Sequence, residues 1–153
     1  MKLVCQVWIT AAALVLAAMP AVAQSEKKLN PQKVPQPVRQ AFEQRFPQAR
    51  LLGAAEEMDK GATLYEIESE WKGRRYDVTF QPDGTLVSVE ETIPMEEAPA
   101  AVLSALKKEF PTAKVVRAEK ITEAGAVTYE FQLKGAPKKE AKFSPEGKLL
   151  AVE

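Results

Sequence analysis

The side chains in this sequence best suited to chemistry are carboxylates. Glu66, Glu68 and Glu70 alternate along one stretch, and Asp77 and Thr79 follow within a few residues. Two carboxylates can divide the roles of general acid and general base, as in glycosidases, when one is desolvated and their separation suits the reaction. On the wet face of a sheet the same alternation serves solubility. It also offers a surface to a partner, with Arg75 adding a cation beside it and Trp71 an aromatic anchor.

Other chemistries lack their parts. The sequence has no histidine, and its one cysteine, Cys5, stands near the start. Ser88, Ser104 and Thr128 therefore have no imidazole to activate them, and the soft metal ligands are missing from residue 6 onward. Gln81-Pro82-Asp83-Gly84 and Glu90-Glu91 are rich in oxygen but do not have the ligand spacing of a calcium loop, so a turn and a linker are expected there. No catalytic residue, metal or cofactor is expected. Lys+Arg 21 balance Asp+Glu 21, with the signs interspersed, which gives no basic patch for a nucleic-acid partner.

The elements that would position these residues follow from periodicity. Tyr65, Ile67, Ser69 and Trp71 alternate with Glu66, Glu68 and Glu70, the period of a strand with one buried face. After a turn at Trp71-Lys72-Gly73-Arg74, the residues Tyr76, Val78 and Phe80 alternate with Asp77, Thr79 and Gln81. Pro82-Asp83-Gly84 has turn chemistry, and Leu86, Val87 and Val89 continue as the next strand. A weaker strand is expected from about Leu51 to Met58. Register places Tyr65, Trp71 and Tyr76 on the apolar side; Trp71, at a hairpin end beside Lys72 and Arg74-Arg75, is the one expected to be most exposed. Ahead of these strands, Val38, Ala41, Phe42 and Phe46 share one helical face, with Pro35 suited to the first turn and Pro47 ending the helix.

The pattern then repeats. Pro35, Val38, Ala41, Phe46, Pro47 and Ala49 return as Pro99, Val102, Ala105, Phe110, Pro111 and Ala113 at one fixed offset, and Tyr65-Glu66 returns as Tyr129-Glu130. Phe80, Pro82, Gly84 and Leu86 return as Phe143, Pro145, Gly147 and Leu149. The expected fold is α+β: two tandem repeats, residues 34–93 and 94–153, each a helix followed by an antiparallel meander of about four strands, with the helices on one sheet face. The short connection at Thr92 to Ala98 allows the copies to share one continuous sheet, and small modules without disulfides gain by packing together.

Lys2, an apolar run from Leu3 to Met19 and the ending Pro20-Ala21-Val22-Ala23 are the three parts of a secretory signal peptide, residues 1–23. The Ala-Val-Ala ending and Pro20 favour cleavage over retention as a membrane anchor, so no stable membrane insertion is expected. Cys5 lies at the front of the apolar run, whereas a lipid-attached cysteine would follow it. Residues 24–33, polar and without periodicity, are expected to form a flexible leader.

The run Val-Pro-x-x-Val-x-x-Ala-Phe-x-x-x-Phe-Pro-x-Ala at Val34 to Ala49, followed by Tyr65-Glu66-Ile67 and Tyr76-Asp77-Val78-Thr79-Phe80-Gln81-Pro82-Asp83-Gly84-Thr85-Leu86, resembles the PepSY-like, β-lactamase-inhibitor-like family of exported bacterial proteins. The second copy fits through Phe110-Pro111-Thr112-Ala113, Tyr129-Glu130-Phe131 and Phe143-Ser144-Pro145-Glu146-Gly147, and departs at Lys134-Gly135-Ala136-Pro137 with a shorter hairpin that lacks the tryptophan. With export and the missing catalytic residues, the expectation is a non-enzymatic periplasmic or secreted binding or inhibitory module. It would contact an envelope protein or peptide through Glu66, Glu68, Glu70, Asp77, Thr79, Trp71 and Arg75. A small-molecule or stress sensor binding between the copies, and a carboxylate-dependent hydrolase, are the alternatives.

Overall fold

The computed structural model describes residues 25–136 and 139–153. The expected signal peptide and its cleavage point lie outside the described residues. The elements, in chain order, are β1 (Ser25–Lys28), α1 (Gln36–Arg45), β2 (Arg50–Asp59), β3 (Ala62–Trp71), β4 (Arg74–Phe80), β5 (Leu86–Thr92), α2 (Ala100–Glu109), β6 (Lys114–Glu123), β7 (Ala126–Lys134), β8 (Glu140–Phe143) and β9 (Leu149–Val152). Short 3-10 turns, Pro31–Lys33 and Met95–Glu97, precede the two helices.

The nine strands form one sheet in the order in which they occur along the chain, and every neighbouring pair is antiparallel. The two copies are therefore joined, β5 of the first pairing with β6 of the second from Ser88 opposite Glu123 to Thr92 opposite Glu119. The tight hairpins are made by Lys60-Gly61, Lys72-Gly73 and Ala124-Gly125, each with positive φ at both residues. That geometry matches the right-handed twist of the strands it connects.

Two expectations need correction. The segment expected as a flexible leader supplies β1, because the edge of β2 leaves backbone groups unpaired and a short polar strand satisfies them: Lys28 lies opposite Ala55, and the Leu29 N–H donates to the Ala54 carbonyl at 2.8 Å. Pro35 and Pro99 stand one residue ahead of their helices in extended backbone, with ψ of 143° and 145°. It is Pro37 that enters the first turn of α1, where its missing N–H is not needed.

Strand parity puts both helices on the same sheet face. Val38, Phe42 and Phe46 pack with Ala54, Ile67, Tyr76, Val78 and Phe80; Val102 and Leu106 pack with Ala118, Phe131, Leu133, Ala141 and Phe143. Each helix is seated by the turn that follows the third strand of its own meander. Gly84 (φ +88°) lies so close to α1 that a Cβ there would stand 2.7 Å from the Pro37 carbonyl oxygen, and at Gly147 (φ +86°) the distance to the Ala101 oxygen would be 2.5 Å. Only glycine allows both the backbone conformation and the approach.

Candidate binding face

Alternation along β2 to β8 sends every second side chain to the face opposite the helices. Among the described residues no helix packs on that face. Across the sheet, Glu66 lies opposite Ala55 and Thr79, Glu68 opposite Asp77, Asp77 opposite Glu90, Thr92 opposite Glu119, and Glu119 opposite Glu130. The sequence-expected residues Glu66, Glu68, Asp77 and Thr79 thus share one face, as does Arg75, whose guanidinium donates to Glu68 at 3.0 Å. Glu70 shares the parity but is drawn to the end of the sheet, where Arg50 pairs with it.

Trp71 does not join them. It is half-buried on the helix side, its Nε1–H donates to the Pro47 carbonyl at 3.0 Å, and its ring stands edge-on to Phe46 with Lys72 Nζ 4.1 Å above it. The expected exposure at a hairpin tip fails because the end of α1 lies within reach of the indole N–H. Tyr76 is buried in the same cluster and donates to Glu91 at 3.1 Å. The turn reading of Asp83 is supported: its carboxylate accepts from the Thr85 N–H at 2.8 Å, which holds its pKa below the ordinary value.

The open face is neither apolar nor fully wet. Ala55, Thr79, Ser88, Glu119 and Ile121 are buried on it. The carboxylates of this face stand close to one another, Glu119 buried and Glu66, Asp77 and Glu90 half-buried. Burial, then the charges of Glu57, Asp77, Glu90 and Glu68, push Glu66 up to about 7. Burial, then Glu119, Glu130 and Asp77, push Glu90 up to about 7 against the pull of Lys142. Burial also raises Asp77 and Glu119, in each case against a neighbouring arginine. Glu119 is 3% exposed; Arg117 Nη2 reaches its Oε2 at 3.1 Å, while among the described residues Glu119 Oε1, Asp77 Oδ1 and Arg117 Nε are buried without a partner.

Sequence reasoning missed Glu90 as part of this face, because Glu90-Glu91 reads as a linker pair; β5 turns Glu90 to the open side and Glu91 to the helix side. It also missed Glu119, Glu130 and Lys142. Extending the alternation rule into the second copy would have found them.

The helix side carries clefts of a different character. One of about 420 Å³ lies between α1 and β2, lined by Phe42, Phe46, Leu51, Ala54 and Ile67 with Arg39 and Glu43 among its charged members. Its second-copy counterpart, about 300 Å³, is lined by Leu106, Phe110, Val115 and Leu133 with Lys107. At the junction of the copies, a shallower cleft of about 330 Å³ has Arg117 as the one charged residue of its lining.

These features define a class: tandem helix-plus-meander copies fused into one antiparallel sheet with the helices on one side. The chain belongs to the family described as "Putative beta-lactamase-inhibitor-like, PepSY-like", whose model matches residues 21–88 and again residues 69–151. Among solved structures it is similar to one named as a putative periplasmic protein from Bacteroides eggerthii DSM 20697, with 26% identity, a TM-score of 0.67, and 78% of this chain and 88% of that one covered. It is also similar in fold to a BLIP-like protein from Bacteroides fragilis NCTC 9343, with 21% identity, a TM-score of 0.61, and 77% and 84% covered. No curated protein matches the chain. No helix among the described residues is long and apolar enough to cross a membrane.

Proposed function

We propose that this protein is a non-enzymatic binding or inhibitory module of the periplasm or the secreted space, which contacts a protein or peptide partner through the sheet face opposite its helices. The observation that carries this reading is the burial of charge on a face that no helix covers among the described residues: Glu119, paired with Arg117, is buried there, and one oxygen each of Glu119 and Asp77 has no donor among those residues. A face serving solubility alone would leave its charges in water. Export, read from the first residues, supports the compartment, as does the periplasmic naming of the similar structure from Bacteroides eggerthii.

Affinity capture from envelope extract tests it. The partner recovered by the native chain is expected to be lost when Glu66, Glu68 and Asp77 are changed together to alanine, and kept when exposed Lys107, Lys108 and Glu109 on α2 are changed. Equal recovery by the sheet-face variant excludes that face.

A further inference from the structure

On the other side of the sheet, and independently of the face proposed above, we infer that the cleft between α1 and β2 binds a free amino acid with a large apolar side chain, its carboxylate taken by Arg39 and its ammonium by Glu43.

The first ground is the cleft itself. Its volume is about 420 Å³. Small-molecule sites span about 300–1,000 Å³ and are mostly apolar, with a few polar groups that fix orientation. Phe42, Phe46, Ala54 and Ile67, all buried, supply the apolar part of the lining. Leu51 at its edge is 46% exposed, and Leu52 beside it in the chain 38%. Apolar surface left open within a polar rim is characteristic of ligand grooves.

The second ground is the duplicate of this cleft. Apart from Leu133, every residue lining the corresponding cleft of the second copy stands at the fixed offset of the repeat from a residue lining the first. Phe46 becomes Phe110 and Leu51 becomes Val115, so the apolar plan is kept. Arg39 becomes Leu103 and Glu43 becomes Lys107, so the charges are not. The first cleft carries both signs on its helix, and the second a lone cation. Two sites of common shape therefore differ in the ligand charge they complement, and only the first complements a zwitterion.

The third ground is that these two charges are free to act. Residues four apart on a helix have Cβ atoms about 5–6 Å apart, and opposite charges so placed commonly pair. Arg39 and Glu43 are both exposed, and neither forms an ion pair among the described residues. Their spacing suits the two ends of one amino acid, which share a carbon, better than the distant ends of a longer peptide. A guanidinium can donate two parallel bonds to a carboxylate, and an ammonium donates to the carboxylate of Glu43. Gln48, also in the lining, has φ of 63°, whereas its counterpart Thr112 is not at positive φ. Backbone strain of this kind gathers at ligand clamps.

The experiment titrates the chain lacking residues 1–23 at about pH 6, where both ends of an amino acid are charged, and reads backbone amide shifts by NMR. L-phenylalanine is compared with N-acetyl-L-phenylalanine, which lacks the ammonium, and with L-phenylalaninamide, which lacks the carboxylate. A blocked Ala-Phe-Ala peptide presents the same ring as part of a chain. L-phenylalanine is expected to shift residues around Arg39, Phe42, Phe46 and Leu51 more than their second-copy counterparts. It is expected to bind about fivefold more tightly than either derivative, the worth of one exposed ion pair. Arg39→Gln is expected to remove the preference over the amide, and Glu43→Gln the preference over the N-acetyl derivative.

Equal binding of the amino acid and its two derivatives overturns Arg39 and Glu43 as its holders. Tighter binding of the blocked peptide makes the cleft a peptide groove and overturns the free amino acid as occupant. Shifts of equal size in both clefts overturn the selection assigned to the charges, and shifts confined to the open sheet face, or none at all, overturn the inference as a whole. Partner capture is decided separately, since Glu66, Glu68 and Asp77 do not line this cleft.

Discussion

The two copies reach one architecture with their bulk placed differently. In the first, Phe42 on the helix meets Ile67 on the second strand of the meander; at the same offset in the second, Leu106 meets Phe131. Ser69, fully buried beside Trp71 and Tyr76, is replaced by Leu133 where the second copy has Gly135 and Lys139 instead of those aromatics. Large and small residues trade places while each core stays filled, which is how cores tolerate substitution. On the open face no such compensation holds. Glu66 faces Thr79, whereas its counterpart Glu130 faces Lys142 and pairs with it. The helix side is under a packing constraint common to both copies, and the other side is free to diverge.

Removing one aromatic from each copy should separate the two cores most clearly. Phe46 is buried against Phe42, Trp71 and Tyr76, while Phe110 is half-buried without that cluster. Phe46→Ala is expected to cost about 4 kcal/mol and Phe110→Ala about 2 kcal/mol, measured by chemical denaturation. Equal losses would mean that the second helix end is held by contacts of the same strength.

Gly84→Ala and Gly147→Ala are expected to cost about 3 kcal/mol each, combining positive φ with a Cβ driven into a helix carbonyl. Equal losses are expected here, and unequal midpoints would show that the helices are not seated alike.

Proton linkage comes next. Glu66 and Glu90 have an ordinary value of 4.5 and are pushed up to about 7. Between those values the folded chain holds protons that the unfolded chain has released. Their contribution is therefore full below about pH 4.5 and lost as pH rises through 7. Glu66→Gln and Glu90→Gln are each expected to flatten the fall in stability between pH 5 and pH 8 by about 1 kcal/mol, after allowing for solvent screening. A slope unchanged by either substitution would remove these two groups as its source.

The smallest effect is a transplant. Thr79→Lys recreates the second copy's Glu130–Lys142 arrangement opposite Glu66. It is expected to move the Glu66 titration midpoint downward from about 7, read by carboxyl NMR, with a change in stability below about 1 kcal/mol. An unmoved midpoint would show that the lysine does not reach across.

The helices, the meanders and the side assignment of Glu66, Glu68 and Asp77 were legible in the sequence because each rests on local periodicity or on the repeat. Trp71 was not: its direction depends on the Pro47 carbonyl, which arrives from a distant part of the chain. β1 was hidden because four polar residues, Ser-Glu-Lys-Lys, carry no pattern, and its pairing is made entirely by backbone groups of β2. The crowding of Glu90, Glu119 and Glu130 was also out of reach, since it arises where the two repeats meet.

β1 repays attention for where it sits. Lys28 opposite Ala55 is the counterpart of Thr92 opposite Glu119, and the Leu29-to-Ala54 backbone bond that of Ile93 to Ala118. The natural period of the molecule thus opens with a strand borrowed from the preceding unit, and the seam between units is already present twice. Splicing a duplicate of residues 29–92 directly after Thr92 would lengthen the ribbon by one more turn of the pattern, through a joint the chain already knows how to make.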